Sequence, residues 1–199
     1  MSGRVGPGAV RPHIEVGVAR TLDDMLQVFA LRSVVYMAEQ RCPYKEEFDG
    51  NDFAAATHIL ARVDGEPAGT MRLRWFAEFV KVERVAVKPD LRGGAVAAAI
   101  IDYAVKLAER KGYRKVLGHI QARLVPFWLK CGGARVRRER PRFRFSDHDY
   151  VEVERDLAPP KDALSFDTPA MVLLRPEGAW DDPGVLDAST ARPATNPAP

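Results

Sequence analysis

Between Val82 and Cys131 the sequence orders strand formers, a guanidinium and small residues in a way that can hold a phosphate. Val82-Glu83-Arg84-Val85-Ala86-Val87 reads as an apolar strand, Lys88-Pro89-Asp90-Leu91 as a turn, and Arg92-Gly93-Gly94-Ala95-Val96-Ala97 as the opening of a long amphipathic helix. Small residues at such a junction let backbone N–H groups approach a ligand closely. The helix N-terminus adds positive partial charge, so the turn suits a phosphate or pyrophosphate. Two phosphate loops are excluded. No Gly-Lys-Ser/Thr closes the turn as in a Walker loop, and the glycines lack the Gly-x-Gly-x-x-Gly spacing of a dinucleotide fingerprint. What remains is Arg-x-x-Ala-x-Ala after a Val-x-Val strand.

The elements that must position this turn read as a mixed α/β order. Ile14 to Ala19 alternates as a strand, and Thr21 with Asp24 three residues on forms a capping pair for a helix carrying Leu22, Met25, Leu26 and Phe29 on one face, reaching about Met37. His58 to Val63 and Pro67 to Trp75 are strand-like and flank Asp64-Gly65, a hairpin signal. Phe79 to Val87 is the central strand. From Ala95 the set Val96, Ile100, Ala104, Leu107 and Ala108 recurs at helical spacing, and Gly112 follows Arg110 and Lys111 as a stop. A strand over Lys115 to Ile120, a short helix from about Leu124 to Lys130, and strands near Arg135 and over Tyr150 to Arg155 complete the set.

With 199 residues and a formal net charge of +3, the chain fits one domain with a substantial core. Met1 to Pro12 has no apolar signal region, and no run approaches the ~18 apolar residues of a membrane span, so a cytoplasmic, soluble protein without a membrane partner is expected. Cys42 and Cys131 lack a metal-type spacing and read as buried free thiols rather than a disulfide or a catalytic pair. Three segments are expected: a flexible start at 1–12, a folded domain at 13–157, and a Pro-rich extension at 158–199 that docks in part and then becomes disordered. Ala170-Met171-Val172-Leu173-Leu174 is the apolar piece of that extension. Covering the core of its own subunit is favoured over a lid or the arm of a homodimer.

The Arg92 to Ala97 turn resembles the pyrophosphate loop of the GNAT superfamily, the GCN5-related N-acetyltransferases, with Ala95 where the first glycine usually stands. Upstream, Leu31-Arg32, Glu39-Gln40, Cys42-Pro43-Tyr44 and Asp49-Gly50-Asn51-Asp52 are similar to a segment of the ElaA-like branch. Downstream, Gln121-Ala122-Arg123 leading to Pro126-Phe127-Trp128 and Gly132-Gly133 resembles its ending. The resemblance spans roughly residues 14 to 157. It implies a mixed, mostly antiparallel sheet of about 6–7 strands with helices on both faces. Strands 82–87 and 115–120 would splay apart around acetyl-CoA, with backbone of Arg84, Val85, Ala86 and Val87 pairing the pantetheine arm and N–H groups of Arg92, Gly93, Gly94, Ala95, Val96 and Ala97 taking the pyrophosphate. Phe127 would line the same cleft. It further implies transfer of an acetyl group to a primary amine, most simply of a small molecule, by direct attack on the thioester, with no metal.

Such an attack needs a base for the amine and help for the leaving thiolate. On position, Glu83 is the candidate base, against a plain ion pair or a solvated strand face. Relatives carry an Asn and a Tyr in the Asn-x-Phe-Tyr element, but this chain has Pro126-Phe127-Trp128. Trp128 offers an indole N–H donor and no acidic proton. Cys131, Tyr103, Tyr113 and Tyr150 are substitutes for which packing is the simpler reading. Glu46, Glu47, Asp49 and Asp52 could draw in a cationic amine or form a solvated loop. Arg135, Arg137, Arg138, Arg140, Arg142 and Arg144 could meet the coenzyme 3′-phosphate or an acidic partner, and with Phe143 and Phe145 they leave a nucleic-acid module as a reading from another class. The modest net charge and the absence of a helix-turn-helix, zinc or RNP pattern weigh against it. A weakened acyl-CoA-binding protein, and an acyltransferase with a longer donor as in acyl-homoserine-lactone synthases, stay open.

Overall fold

Alternating strand formers, broken by turn residues, build a sheet in the computed structural model, which describes residues 12–145 and 148–189. The strands are β1 (Ile14–Val18), β2 (Ala56–Val63), β3 (Glu66–Trp75), β4 (Val80–Val87), β5 (Lys115–Gln121), β6 (Arg135–Val136), β7 (Phe143–Phe145) and β8 (His148–Asp156). They lie in the order β1-β2-β3-β4-β5-β8-β6, with β7 on β8. Only β4 and β5 run parallel among the paired strands. Asp64 and Gly65 join β2 to β3 with φ of 51° and 85°, the two positive values that a two-residue I′ turn requires. The sheet has eight strands, more than the 6–7 expected, because the short β6 and β7 both add to β8.

Helices cover both faces. On one side lie α1 (Leu22–Arg32), a π-helical continuation over Ser33–Glu39, and α2 (Tyr44–Glu47); on the other lie α3 (Val96–Arg110) and α4 (Val125–Cys131). Thr21 and Asp24 cap α1 reciprocally, as their spacing predicts. Its apolar face differs from expectation, however: Val28, Leu31 and Arg32 are buried, whereas Leu22 is 78% and Leu26 58% exposed. The helix rolls so that Arg32 reaches the acidic α2 loop, which costs the exposure of two leucines. From α3 the expected set Val96, Ile100, Ala104, Leu107 and Ala108, joined by Ile101, packs on Ile59, Ala61, Met71 and Leu73 of the sheet.

Two short helices, α5 (Ala170–Leu173) and α6 (Val185–Ser189), lie in the C-terminal extension. Within the apolar stretch 170–174, Val172 packs against the central core while Leu173 and Leu174 stay 49% and 55% exposed, and Trp180 is buried in the same core. Glu177 fixes the same segment, accepting from Thr57 Oγ1 at 2.8 Å and pairing with Lys111 Nζ at 2.5 Å, while Arg20 donates to its carbonyl. Segment 1–11 of the expected flexible start, and 190–199 of the expected disordered end, lie outside the described residues.

Candidate active site

Strands β4 and β5 share only three register pairs, Val80 with Val116, Lys81 with Leu117 and Val82 with Gly118, and then part. The cause lies on the other edge of β4. Its register with β3 runs from Arg72–Glu83 to Thr70–Ala86, so Arg84 and Val85 together oppose Met71. This one-residue bulge, with Arg84 at φ 50°, bends β4 away from β5. Lys88 N–H donates to Ala68 O on β3, so by strand alternation Ala86 also turns its backbone to β3 while Val85 and Val87 present theirs to the opening. Two of those groups already have partners: Tyr36 O–H donates to Val85 O at 2.7 Å and Arg92 Nε–H to Val87 O at 3.0 Å.

At the mouth of the opening the chain turns through Gly93, at φ 76°, into α3. The N-cap is Ala95, which has no side chain to satisfy the first-turn donors, and the first helical bond runs from Ala99 N–H to Ala95 O. The N–H groups of Val96, Ala97 and Ala98 thus precede the ladder and remain for a ligand. A cleft of about 330 Å³ runs from there along Val85, Val87, Gly94, Ala97, Phe127 and Trp128. An elongated thioester with a pyrophosphate fits this shape: donors at one end and apolar walls along the other. Arg92 also forms a fork with Glu39, at 2.6 and 2.5 Å, which holds the Glu39 carboxyl below the usual range.

Glu83 lies past the last paired residues, as the sequence predicts, but it is not a free base. Its carboxylate accepts from Arg72 at 2.7 and 3.0 Å and pairs with Lys81 at 2.6 Å. Burial acts to raise its pKa, yet Lys81 and Arg72 outweigh burial and hold it below the usual carboxylate range. The acidic segment is neither a solvated loop nor an open cation trap. Glu47 and Asp52 are buried against Arg32, both at 2.5 Å, Asp52 and Asp49 also pair with Arg72, and Arg84 meets Glu47 and Asp49. Its charge is spent inside the fold, where each buried carboxylate has a guanidinium.

Trp128 is buried beside the cleft, edge-on to Phe127, and its indole N–H donates to no described residue. Tyr103 and Tyr113 lie elsewhere, beside Gly178 of the extension and against Trp75. Both cysteines are free, but Cys131 is exposed and Cys42 half-buried, because each sits where a helical segment ends. In the basic run, Arg135, Arg137 and Arg140 are paired with Glu152, Glu154, Asp156 or Glu139, which removes much of the free charge a nucleic-acid surface would need. Sequence reasoning missed Tyr36, Glu39 and His119. Tyr36 and Glu39 reach the opening because the π-helical segment shifts their phase, and His119 stands on β5 with Nε2 3.1 Å from Glu152 Oε2. The parity of β5 against β4 was the one signal that could have marked His119. No group of three or more potential metal ligands occurs among the described residues, and no helix there is long and apolar enough to cross a membrane.

Comparison with known proteins gives a consistent picture. The Acetyltransferase (GNAT) family matches residues 24–132. A Bacillus subtilis protein assigned as an acetyltransferase is 30% identical over 111 residues, 55% of this chain and 76% of its own length. The crystal structure of Escherichia coli ElaA aligns at TM-score 0.63 and 21% identity, over 73% of this chain and 99% of that one. An aminoglycoside 6′-N-acetyltransferase complexed with coenzyme A aligns at TM-score 0.59 and 9% identity, over 75% and 99%. At such identities the two structures speak for the fold alone.

Proposed function

The chain belongs to the GNAT acetyltransferase family, N-acetyltransferases that use acyl-CoA donors, and from that premise we propose that it moves an acetyl group from acetyl-CoA to the primary amine of a small molecule. The observation that carries this reading is the junction of the parted β4 and β5 with the uncapped start of α3. In it, N–H groups from Gly93 to Ala97 hold the pyrophosphate, and the edge of β4 at Val85 and Val87 aligns the pantetheine arm. Ala86 contributes through its place in the bulged strand, and Arg84 through the bulge itself. Acetyl-CoA supplies an activated acyl carbon on a thiol whose pKa, at ~8.5 for a simple thiol, makes it a fair leaving group. Phe127 and Trp128 wall the thioester end of the cleft, and in this reading the Trp128 indole N–H, which has no partner among the described residues, is the donor for the departing sulfur. Glu83 holds Arg72 and, through it, the α2 loop against β4. Residues 13–157 form the catalytic unit. Residues 158–189 strap the C-terminal end of α3, about 22 Å from the cradle at 1.5 Å per residue.

Thiol release from acetyl-CoA across a panel of small amines, with calorimetric titration of acetyl-CoA, tests this. Binding near micromolar strength with amine-dependent thiol release is expected. No binding of acetyl-CoA would overturn the reading, and binding with no release would favour the acyl-CoA-binding alternative.

A further inference from the structure

The parallel ladder between β4 and β5 ends at Val82–Gly118, so Glu83 and His119 are the next residues on the two strands and share one sheet face. Glu83 is saturated by two cations, but His119 is not. Its Nε2 lies 3.1 Å from Glu152 Oε2, and the other Glu152 oxygen is held by Arg137 at 2.6 Å, with Arg140 at 3.6 Å. An Nε2–H donated to that fixed carboxylate leaves the lone pair on Nδ1, for which the described residues offer no partner. The ring is 34% exposed, open enough to meet a substrate.

Beside it stands an aromatic wall. Phe143 meets the His119 ring edge-to-face at 5.2 Å and stacks on Tyr150 at 5.7 Å, and Phe145 touches Tyr150 at 6.0 Å. Phe143 and Phe145 are 39% and 47% exposed although each belongs to a paired strand. Their cross-strand partners put all three rings on the His119 face of the sheet.

Resting on the acetyltransferase reading, we propose that His119 is a catalytic residue that accepts the acceptor amine's proton at Nδ1, that Glu152 is its positioning residue, and that Phe143 and Tyr150 receive a flat apolar group carried by that amine. As the C–N bond forms and the C–S bond breaks, one proton leaves nitrogen for Nδ1 and one reaches the departing sulfur from the imidazolium or from water. Other charged groups on this face are Lys81 and Glu83 of β4, Arg72 and Arg74 of β3, and Glu154 of β8; Glu83 pairs with Lys81 and Arg72, and Glu154 with Arg135, while Gln121 of β5 adds an uncharged polar group. Tyr150 stands close to Tyr36 from the helical side.

The test uses the full chain with acetyl-CoA, and with 2-phenylethylamine and 1,4-diaminobutane as probe amines. The wild type should favour 2-phenylethylamine by about tenfold or more in kcat/KM, the scale an apolar subsite provides. His119→Gln should lose on the order of 10²-fold in turnover at neutral pH, with donor affinity unchanged. Glu152→Gln should lower kcat about tenfold with KM for 2-phenylethylamine unchanged, a split that loss of a merely structural contact would not produce, and Phe143→Ala should raise KM for 2-phenylethylamine. Donor affinity reports folding in each variant, and His119→Asn replaces His119→Gln if that protein fails it. Acetyl-CoA binding without turnover of 2-phenylethylamine, or turnover retained in His119→Gln, would overturn the proposal. Failure of the wild type to bind acetyl-CoA would instead overturn the donor assignment.

Discussion

Glu83→Gln separates an anchor from a base with one atom changed. The wild-type carboxylate makes charge-assisted contacts to Arg72 and Lys81, each class of contact contributing about 1.5–3 kcal/mol net when desolvated. A glutamine keeps an acceptor oxygen for Arg72, and Arg72 keeps Asp49 and Asp52, so no buried guanidinium is stranded. The expected loss is therefore about 1–2 kcal/mol, well below the 3–5 kcal/mol typical of a broken buried pair. The Glu83 pKa is depressed in the folded state, so its contribution to stability is present above the unfolded value near ~4.3 and disappears as pH falls through the folded value. Urea unfolding should show the difference at pH 7 and progressively less of it as pH falls below ~4.3. Thiol release from acetyl-CoA at pH 7 should fall by less than about tenfold. A loss of 10²-fold or more at unchanged stability would refute the anchor and restore Glu83 as the proton acceptor.

Gly94→Val leaves the fold intact, because a Cβ there meets Leu91 O at an ordinary 3.5 Å, but its methyls crowd the cradle; calorimetry should show acetyl-CoA affinity down about tenfold or more at unchanged circular dichroism. Glu39→Gln frees Arg92 from a half-exposed fork worth about 0.2–1 kcal/mol, so acetyl-CoA affinity should rise up to fivefold at low salt and converge with the wild type at high salt. Trp180→Ala removes the anchor of the extension and should cost about 3 kcal/mol, lowering Tm by about 6–12 °C in calorimetric scans while acetyl-CoA affinity holds.

Regular periodicity was legible wherever one face of an element meets one partner. The α3 stripe and the Asp64-Gly65 turn follow from residue type alone, while the arrangement of the strands in the sheet came with the family resemblance. The turn from β4 into α3 was legible because its glycines and the missing cap are local. What escaped the sequence depends on contacts between distant segments. The face of α1 was misread because Arg32, polar in any periodicity argument, is fully buried by Glu47 and Asp52, 15 and 20 residues away. The acidic loop looked open for the same reason. Glu83 and His119 could be compared only after the registers of β4 with β3 and β5 were known, since these decide which carboxylate is spent on cations and which imidazole shares its face. Ala170 to Leu174 drew attention by composition, yet the extension's buried side chain is Trp180, a single ring in a polar stretch.

The extra residue at Arg84 gives this protein an unusual kind of fragility. Two neighbouring strands of a sheet can be kept apart by a bulky insertion or a covering loop, and either tolerates gradual change; here the gap is a matter of counting. Remove one residue between Glu83 and Ala86, and β4 regains an unbroken phase with β3, straightens, and can zip onto β5 beyond Gly118. The sheet would heal, gaining hydrogen bonds, and the place where a donor could lie would be sewn shut. Most substitutions along this strand tune the chemistry by degrees. A single-codon deletion would instead switch it off while leaving a sounder fold, so the length of this central strand is under a constraint that its residue types do not advertise.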